Sequence, residues 1–201
     1  MSPELWTAFT AALLFTLTAS GTPGPNNMLL TASGAQFGLR ATLPFVLGIR
    51  LGTTLMLFGV AAGLGELLRL NPALHSAMQW GSACYLLYLG WRIAQARFDS
   101  DSSAGGQPLG FLAATGFQFI NPKVWATMLA SVSAFSQPGD LYWSSIWWLL
   151  LAWTLTGTLM NLMWVLFGVG IRQWLHSERR QRWFAHGMGS LTAATVVLVF
   201  W

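Results

Sequence analysis

Two cations lie where a chain this apolar should carry none. Arg50 falls about ten residues into an apolar run that begins near Ala41, and Lys123 falls near the middle of another that runs from about Leu109 to Phe135. At about 1.5 Å of rise per helical residue, each sits near the centre of a membrane-length helix. A cation there costs about 2.5–3.5 kcal/mol on the insertion scale. Its natural partner would be a buried carboxylate, yet Glu4, Glu66, Asp99, Asp101, Asp140 and Glu178 all fall at predicted helix ends or in loops. Two buried positive charges therefore wait for a negative group that the chain itself does not supply.

Next to them stand two proline motifs, "TPGPNN" at residues 22–27 and "INPK" at residues 120–123. Proline lacks the backbone donor and clashes with the preceding turn, so Pro23, Pro25 and Pro122 should each interrupt a helix. In lipid an interruption strands polar backbone groups, and it becomes tolerable where it lines a polar cavity. Freed N–H groups and a positive helix end beside Gly24, Asn26, Asn27 and Asn121 would attract a small anion such as a carboxylate. Freed carbonyls and asparagine oxygens could accept from an ammonium. A zwitterionic amino acid matches both. Simpler roles stand beside this reading. "PGP" could be a surface turn, Lys123 could snorkel to an interface, and Arg50 could cap a carbonyl in a neighbouring helix. Asn161 could be a ligand or interhelical glue, and Gly48 and Gly52 read as close-packing positions.

The elements that must position these residues are long and apolar. Of 201 residues 54% are hydrophobic and 8% charged, against roughly 25% charged in ordinary soluble domains. Six apolar segments span about 5–37 (interrupted at 23–25), 41–64, 72–94, 109–135, 141–171 and 184–201. Each is long enough to cross a bilayer as a helix, and none alternates like a barrel strand. With the amino terminus outside, Arg40, Arg92, Arg97, Arg172, Arg179, Arg180 and Arg182 face inward and only Arg69 faces outward. That asymmetry places both termini outside. The first and fourth segments are both overlong and both broken by proline, and the second and fifth share an echo, "GTTLMLFGV" against "GTLMNLMWVLFGV". Three helices per half insert in opposite senses, and breaks at matching positions of inverted halves point to a transport site. The expected fold is an all-α membrane protein of six transmembrane helices, built as two inverted three-helix repeats (about 1–98 and 107–201) in one domain.

Other classes fit poorly. The net charge of +4 is small and its arginines lie at helix ends, which excludes nucleic acid as a partner. The lone Cys84 rules out an internal disulfide. The chain opens Met-Ser-Pro-Glu, without the basic start of a signal peptide. His75 and His186 lie in different segments without a nearby acid, and neither a zinc-protease nor a serine-hydrolase motif occurs. No enzyme, metal or cofactor is expected.

"TPGPNN" on a first helix with "NPK" on a fourth resembles the LysE/RhtB family of bacterial amino-acid exporters. The resemblance covers essentially the whole chain: "WGSACYLLYLGWRIA" is similar to the family's third helix and "RWFAHGMGSLTAATVVLVF" to its last. "FQFINPK" and "GTLMNLMWVLFG" look closest to the branch exporting cysteine and O-acetylserine. The resemblance implies a multi-pass protein of the bacterial inner membrane that exports small neutral amino acids to the periplasm, driven by the proton gradient. Its partners would be the amino acid, protons and lipid, with a homodimer open. The family motifs fall on Pro23, Gly24, Pro25, Asn26 and Asn27, and on Asn121, Pro122 and Lys123. Many members carry an acid in the second helix, where this chain reads "GIRLGTT" with Arg50. Without a membrane carboxylate, Lys123 is the candidate proton carrier, charged with substrate bound and neutral without it. Transport of another small solute, such as an inorganic anion, is the alternative.

Overall fold

A computed structural model describes residues 3–95 and 107–199. Arg97, Asp99 and Asp101 lie outside the described residues, as does most of the polar stretch between the two halves. The described chain is helical throughout: α1 (Pro3–Gly21), α2 (Pro25–Ala61), α3 (Leu64–Leu70), α4 (Pro72–Ala94), α5 (Phe111–Ile120), α6 (Pro122–Phe135), α7 (Tyr142–Arg172) and α8 (Glu178–Ala194), with 3-10 turns at Gly139–Leu141 and Thr195–Val199. Both expected interruptions are present. One parts α1 from α2, and the other parts α5 from α6. Pro25 and Pro122 each open the following helix, where the missing N–H has no intrahelical acceptor to lose.

The 37 residues of α2 are not one rod. Gly38 has φ 79° and ψ 177°, a conformation in which a Cβ would be strained. The chain folds back there: Ser33 Oγ and Thr42 Oγ1 lie 2.9 Å apart, whereas nine residues of straight helix would separate them by about 14 Å. The reversal falls between the first and second apolar segments read from the sequence.

Glycines then let backbones touch. A Cβ on Gly34 would strike the carbonyl of Val165, and one on Gly168 would strike that of Thr31, so α2 and α7 are in reciprocal contact. Helices α4 and α8 cross in the same way, a Cβ on Gly90 reaching 2.8 Å from the Gly189 carbonyl and one on Gly189 reaching 2.5 Å from the Gly90 carbonyl. Gly48 and Gly52 admit α5 against α2, as their spacing suggested. Buried side chains gather in two clusters. One contains Leu30, Phe45, Ile49, Phe117 and Val165. The other contains Met56, Leu57, Met128, Ile146 and Leu149.

The outward faces are as apolar as the core. Leu43, Leu47, Leu51 and Leu55 form one exposed stripe on α2, and Leu151, Leu155, Leu159 and Leu166 line α7. Exposed apolar surface of that extent suits contact with lipid rather than water. By length and composition, Pro25–Ala61 and Gly139–Arg172 are apolar enough to cross a membrane.

Candidate functional site

The two breaks lie side by side. Lys123, second residue of α6, reaches across to the end of α1, where its Nζ donates to the Thr22 carbonyl at 2.5 Å. Its stem lies against Gly24, where a Cβ would come within 2.9 Å of Lys123 Cδ and 3.1 Å of Nζ. Gly24 is extended, with φ −177°, so the glycine is needed for this close approach and not for its backbone angles. As N-cap of α2 it offers no side chain. The first backbone bond of that helix is Met28 N–H to the Gly24 carbonyl, so the N–H groups of Asn26 and Asn27 precede the intrahelical ladder. The second break is capped differently: Asn121 Oδ1 accepts the Lys123 N–H at 3.2 Å.

Several of the carbonyls released by the breaks are already taken. Asn27 Nδ2 donates to those of Ser20 at 2.8 Å and Thr22 at 2.9 Å. Trp125 Nε1 donates to that of Phe119 at 2.7 Å, and Ser82 Oγ to that of Ile120. Asn26 and Gln118 exchange amide bonds, 2.7 Å from Asn26 Nδ2 to Gln118 Oε1 and 3.3 Å back. The sequence reading had left these carbonyls for an ammonium. In the fold they close the helix ends instead.

Between the breaks lies a cavity of about 50 Å³, room for several waters at about 10–15 Å³ each. Both apolar clusters contribute to its wall, Ile49 from one and Val124, Met128 and Trp153 from the other. Among the described residues Arg50 and Lys123 line it and no carboxylate does. Arg50 Nη1 donates to the Trp153 carbonyl at 2.8 Å, which lies inside the continuous helix α7 and is not a carbonyl freed by a break. Three buried side-chain polar atoms lack a partner among the described residues: Ser20 Oγ, Arg50 Nε and Asn161 Nδ2. All three residues line this cavity. Burying such atoms unpaired costs about 1–3 kcal/mol each. Among the described residues, those lining the cavity thus offer two nitrogen donors, a hydroxyl and an ammonium, and no acid.

Residues 17–200 match the family model for the LysE type translocator. The chain belongs to the LysE type translocator family. It is 34% identical over 170 residues to a cysteine/O-acetylserine efflux protein of Klebsiella pneumoniae subsp. pneumoniae, covering 84% of both chains. It is 33% identical to one of Salmonella typhimurium over the same span and shares. Against the cysteine/O-acetylserine efflux protein of Escherichia coli K12 it is 29% identical over 168 residues, again 84% of each. No solved structure matches. The translocator is thus a membrane transport protein and not an enzyme.

Of the residues picked from the translocator's sequence, Gly24, Asn26, Asn27, Arg50, Asn121, Lys123 and Asn161 line the cavity. Pro23, Pro25 and Pro122 shape the breaks without lining it. Sequence reasoning missed Ser20, Gln118 and Gly157. Gln118 is fully buried, and its signal was a lone amide three residues before Asn121 in an apolar segment. Gly157 makes room for Arg50, since a Cβ there would collide with Nη1 and lie 2.8 Å from Cζ.

Proposed function

We propose that the translocator is a secondary exporter of small neutral amino acids, of the cysteine, O-acetylserine, serine, threonine and homoserine type. It moves them from cytoplasm to periplasm across a bacterial inner membrane by alternating access, in exchange for protons. The observation that carries this is that Ser20, Arg50 and Asn161, each with an unpartnered polar atom, and Lys123 line one cavity between two broken helices, with no carboxylate among the described lining residues. The uncapped N-terminus of α2, Lys123, Asn161 Nδ2 and Arg50 Nε hold the substrate carboxylate. Bound carboxylate competes with the Thr22 carbonyl for Lys123 Nζ, and this competition is how substrate and proton occupancy become linked.

In this reading the six spans are α1 with the first half of α2, the second half of α2, α4, α5 with α6, α7, and α8. The reciprocal contacts of Gly90 with Gly189 are of the kind an in-plane pseudo-two-fold axis creates. Arg172 Nη1 lies 4.0 Å from where a Gly38 Cβ would stand, so the α2 reversal and the end of α7 share a face, which supports an arginine-rich cytoplasmic side and outside termini. An inorganic anion is the second reading. It is favoured by one observation, that several of the break carbonyls are already hydrogen-bonded and so leave few acceptors for an ammonium.

Counterflow in proteoliposomes separates the two. Radiolabelled serine, cysteine and O-acetylserine are expected to exchange and to accumulate when a pH gradient is imposed, while chloride does not. Chloride flux without amino-acid flux would overturn the exporter reading. Lys123→Met is expected to abolish accumulation while the protein still inserts and elutes as a folded species. If that variant still concentrates serine against a gradient, Lys123 is not the proton carrier.

A further inference from the structure

Asn26 and Gln118 are 92 residues apart and meet below the cavity. Asn26 begins the half of α2 that leads from the first break to Gly38. Gln118 ends the half of α5 that leads from Phe111 to the second break. Both therefore lie on the side of the breaks that faces the α2 reversal, whereas Ala19, Ser20, Val124, Thr127 and Met128 line the cavity from the opposite half-helices. Asn26 lines the cavity and Gln118 does not. The amide pair thus joins the two inner half-helices at the cavity floor. Gly52 leaves the space that Gln118 fills, because a Cβ there would lie 2.5 Å from Gln118 Cγ.

The two bonds of the pair are unequal. Asn26 Nδ2 to Gln118 Oε1 is 2.7 Å, while Gln118 Nε2 to Asn26 Oδ1 is 3.3 Å, beyond the usual range for N–H···O. Gln118 Nε2 also donates to the Ala114 carbonyl in its own helix at 2.8 Å. Releasing Asn26 Oδ1 therefore costs Gln118 the partner of one amide N–H, while the other keeps its bond to the Ala114 carbonyl. Asn26 Oδ1 is an acceptor at the cavity wall, in a site where several of the break carbonyls are otherwise engaged.

We propose that the Asn26–Gln118 pair is a latch that recognises the substrate's ammonium group: the ammonium takes Asn26 Oδ1, the Asn26 amide turns toward it and gives up its bond to Gln118 Oε1 as well, and the inner half-helices part. This rests on the exporter reading above. An ammonium donates a charge-assisted bond, roughly twice as strong as the neutral amide bond it replaces, and that gain offsets the amide N–H that Gln118 leaves unpaired. A plain anion offers Asn26 Oδ1 no donor and leaves the latch closed. Gln118 is then a positioning residue that makes the cavity selective for zwitterions, though it need not touch the substrate.

The test uses Ser20→Cys in a Cys84→Ser background, which puts one thiol on the cavity wall, and a membrane-impermeant thiol reagent on inside-out and right-side-out vesicles. Serine is expected to protect the introduced thiol, and 3-hydroxypropionate, which lacks the amino group, is not. Gln118→Met, similar in volume but without the amide, is expected to speed cytoplasmic-face labelling on the order of tenfold, the factor that one or two net hydrogen bonds supply. It should leave outer-face labelling unchanged and allow 3-hydroxypropionate to protect. Asn26→Ala, made from the other side of the pair, should give the same increase but lose protection by serine. Unchanged cytoplasmic labelling in both variants, or an increase confined to the outer face, overturns the latch. Failure of amino-acid counterflow with labelling as expected would sink the exporter reading alone.

Discussion

Alanine at Gly157 should destabilise the translocator, although alanine at most helix-interior glycines stabilises. The usual gain is about 0.5–1 kcal/mol, because glycine loses more backbone freedom on folding. At Gly157 the new methyl would collide with Arg50 Nη1 and lie 2.8 Å from Cζ and 3.0 Å from Nη2. The guanidinium must swing away and give up its bond to the Trp153 carbonyl. A hydrogen bond to a charged group contributes about 1.5–3 kcal/mol, so the net effect is a loss of about 0.5–2.5 kcal/mol. For a chain of this size that corresponds to roughly 2–4 °C of melting temperature per kcal/mol. Gly170, in the same helix with nothing within 4 Å of its added Cβ, is the control and should gain stability on the same substitution. Thermal unfolding in detergent, followed by tryptophan fluorescence, reads both. The coupling is the sharper measurement: in an Arg50→Met background the Gly157→Ala change should become neutral or stabilising. If Gly157→Ala raises the melting temperature with Arg50 intact, the guanidinium does not lie against α7, and its place in the cavity wall falls with it.

Asn161→Leu should leave stability unchanged or raise it by about 1 kcal/mol, since it removes a buried amide nitrogen without a partner among the described residues, while transport KM rises tenfold or more; a fall in melting temperature with unaltered KM would mark Asn161 as interhelical glue. Gly168→Ala places a methyl on the Thr31 carbonyl and should lower stability by about 1–3 kcal/mol as α2 and α7 separate, measured beside Gly170→Ala. Trp125→Phe removes the donor to the Phe119 carbonyl and should destabilise by about 1–3 kcal/mol, more than the same change at exposed Trp147, in paired melting curves.

Much of the site was legible because its signals are local. Pro23, Pro25 and Pro122 break helices wherever they stand, and the structure breaks where they stand. The apolar segments ended at Phe37 and resumed at Ala41, and the chain reverses at Gly38. Arg50 and Lys123 could be marked as lying within apolar helices because their apolar neighbours are consecutive in sequence, although the fold leaves both only partly buried. Gln118 was overlooked because a single amide in an apolar run carries no periodic signal. Its importance comes from Asn26, 92 residues away.

By itself, the sequence determined that this chain is helical and apolar, where its helices break, and that two cations lie among them without an acid. Those properties depend on each residue and its immediate neighbours. Only the tertiary structure decided which polar groups remain open. Asn27, Trp125 and Ser82 cover several of the carbonyls released at the breaks, and Arg50 finds the Trp153 carbonyl through the gap at Gly157. Ser20 Oγ, Arg50 Nε and Asn161 Nδ2 are left without a partner among the described residues, and all three residues line one cavity. Whether a buried donor is satisfied depends on what other helices bring within 3 Å of it, a matter of packing distance that small residues far apart in the chain settle together.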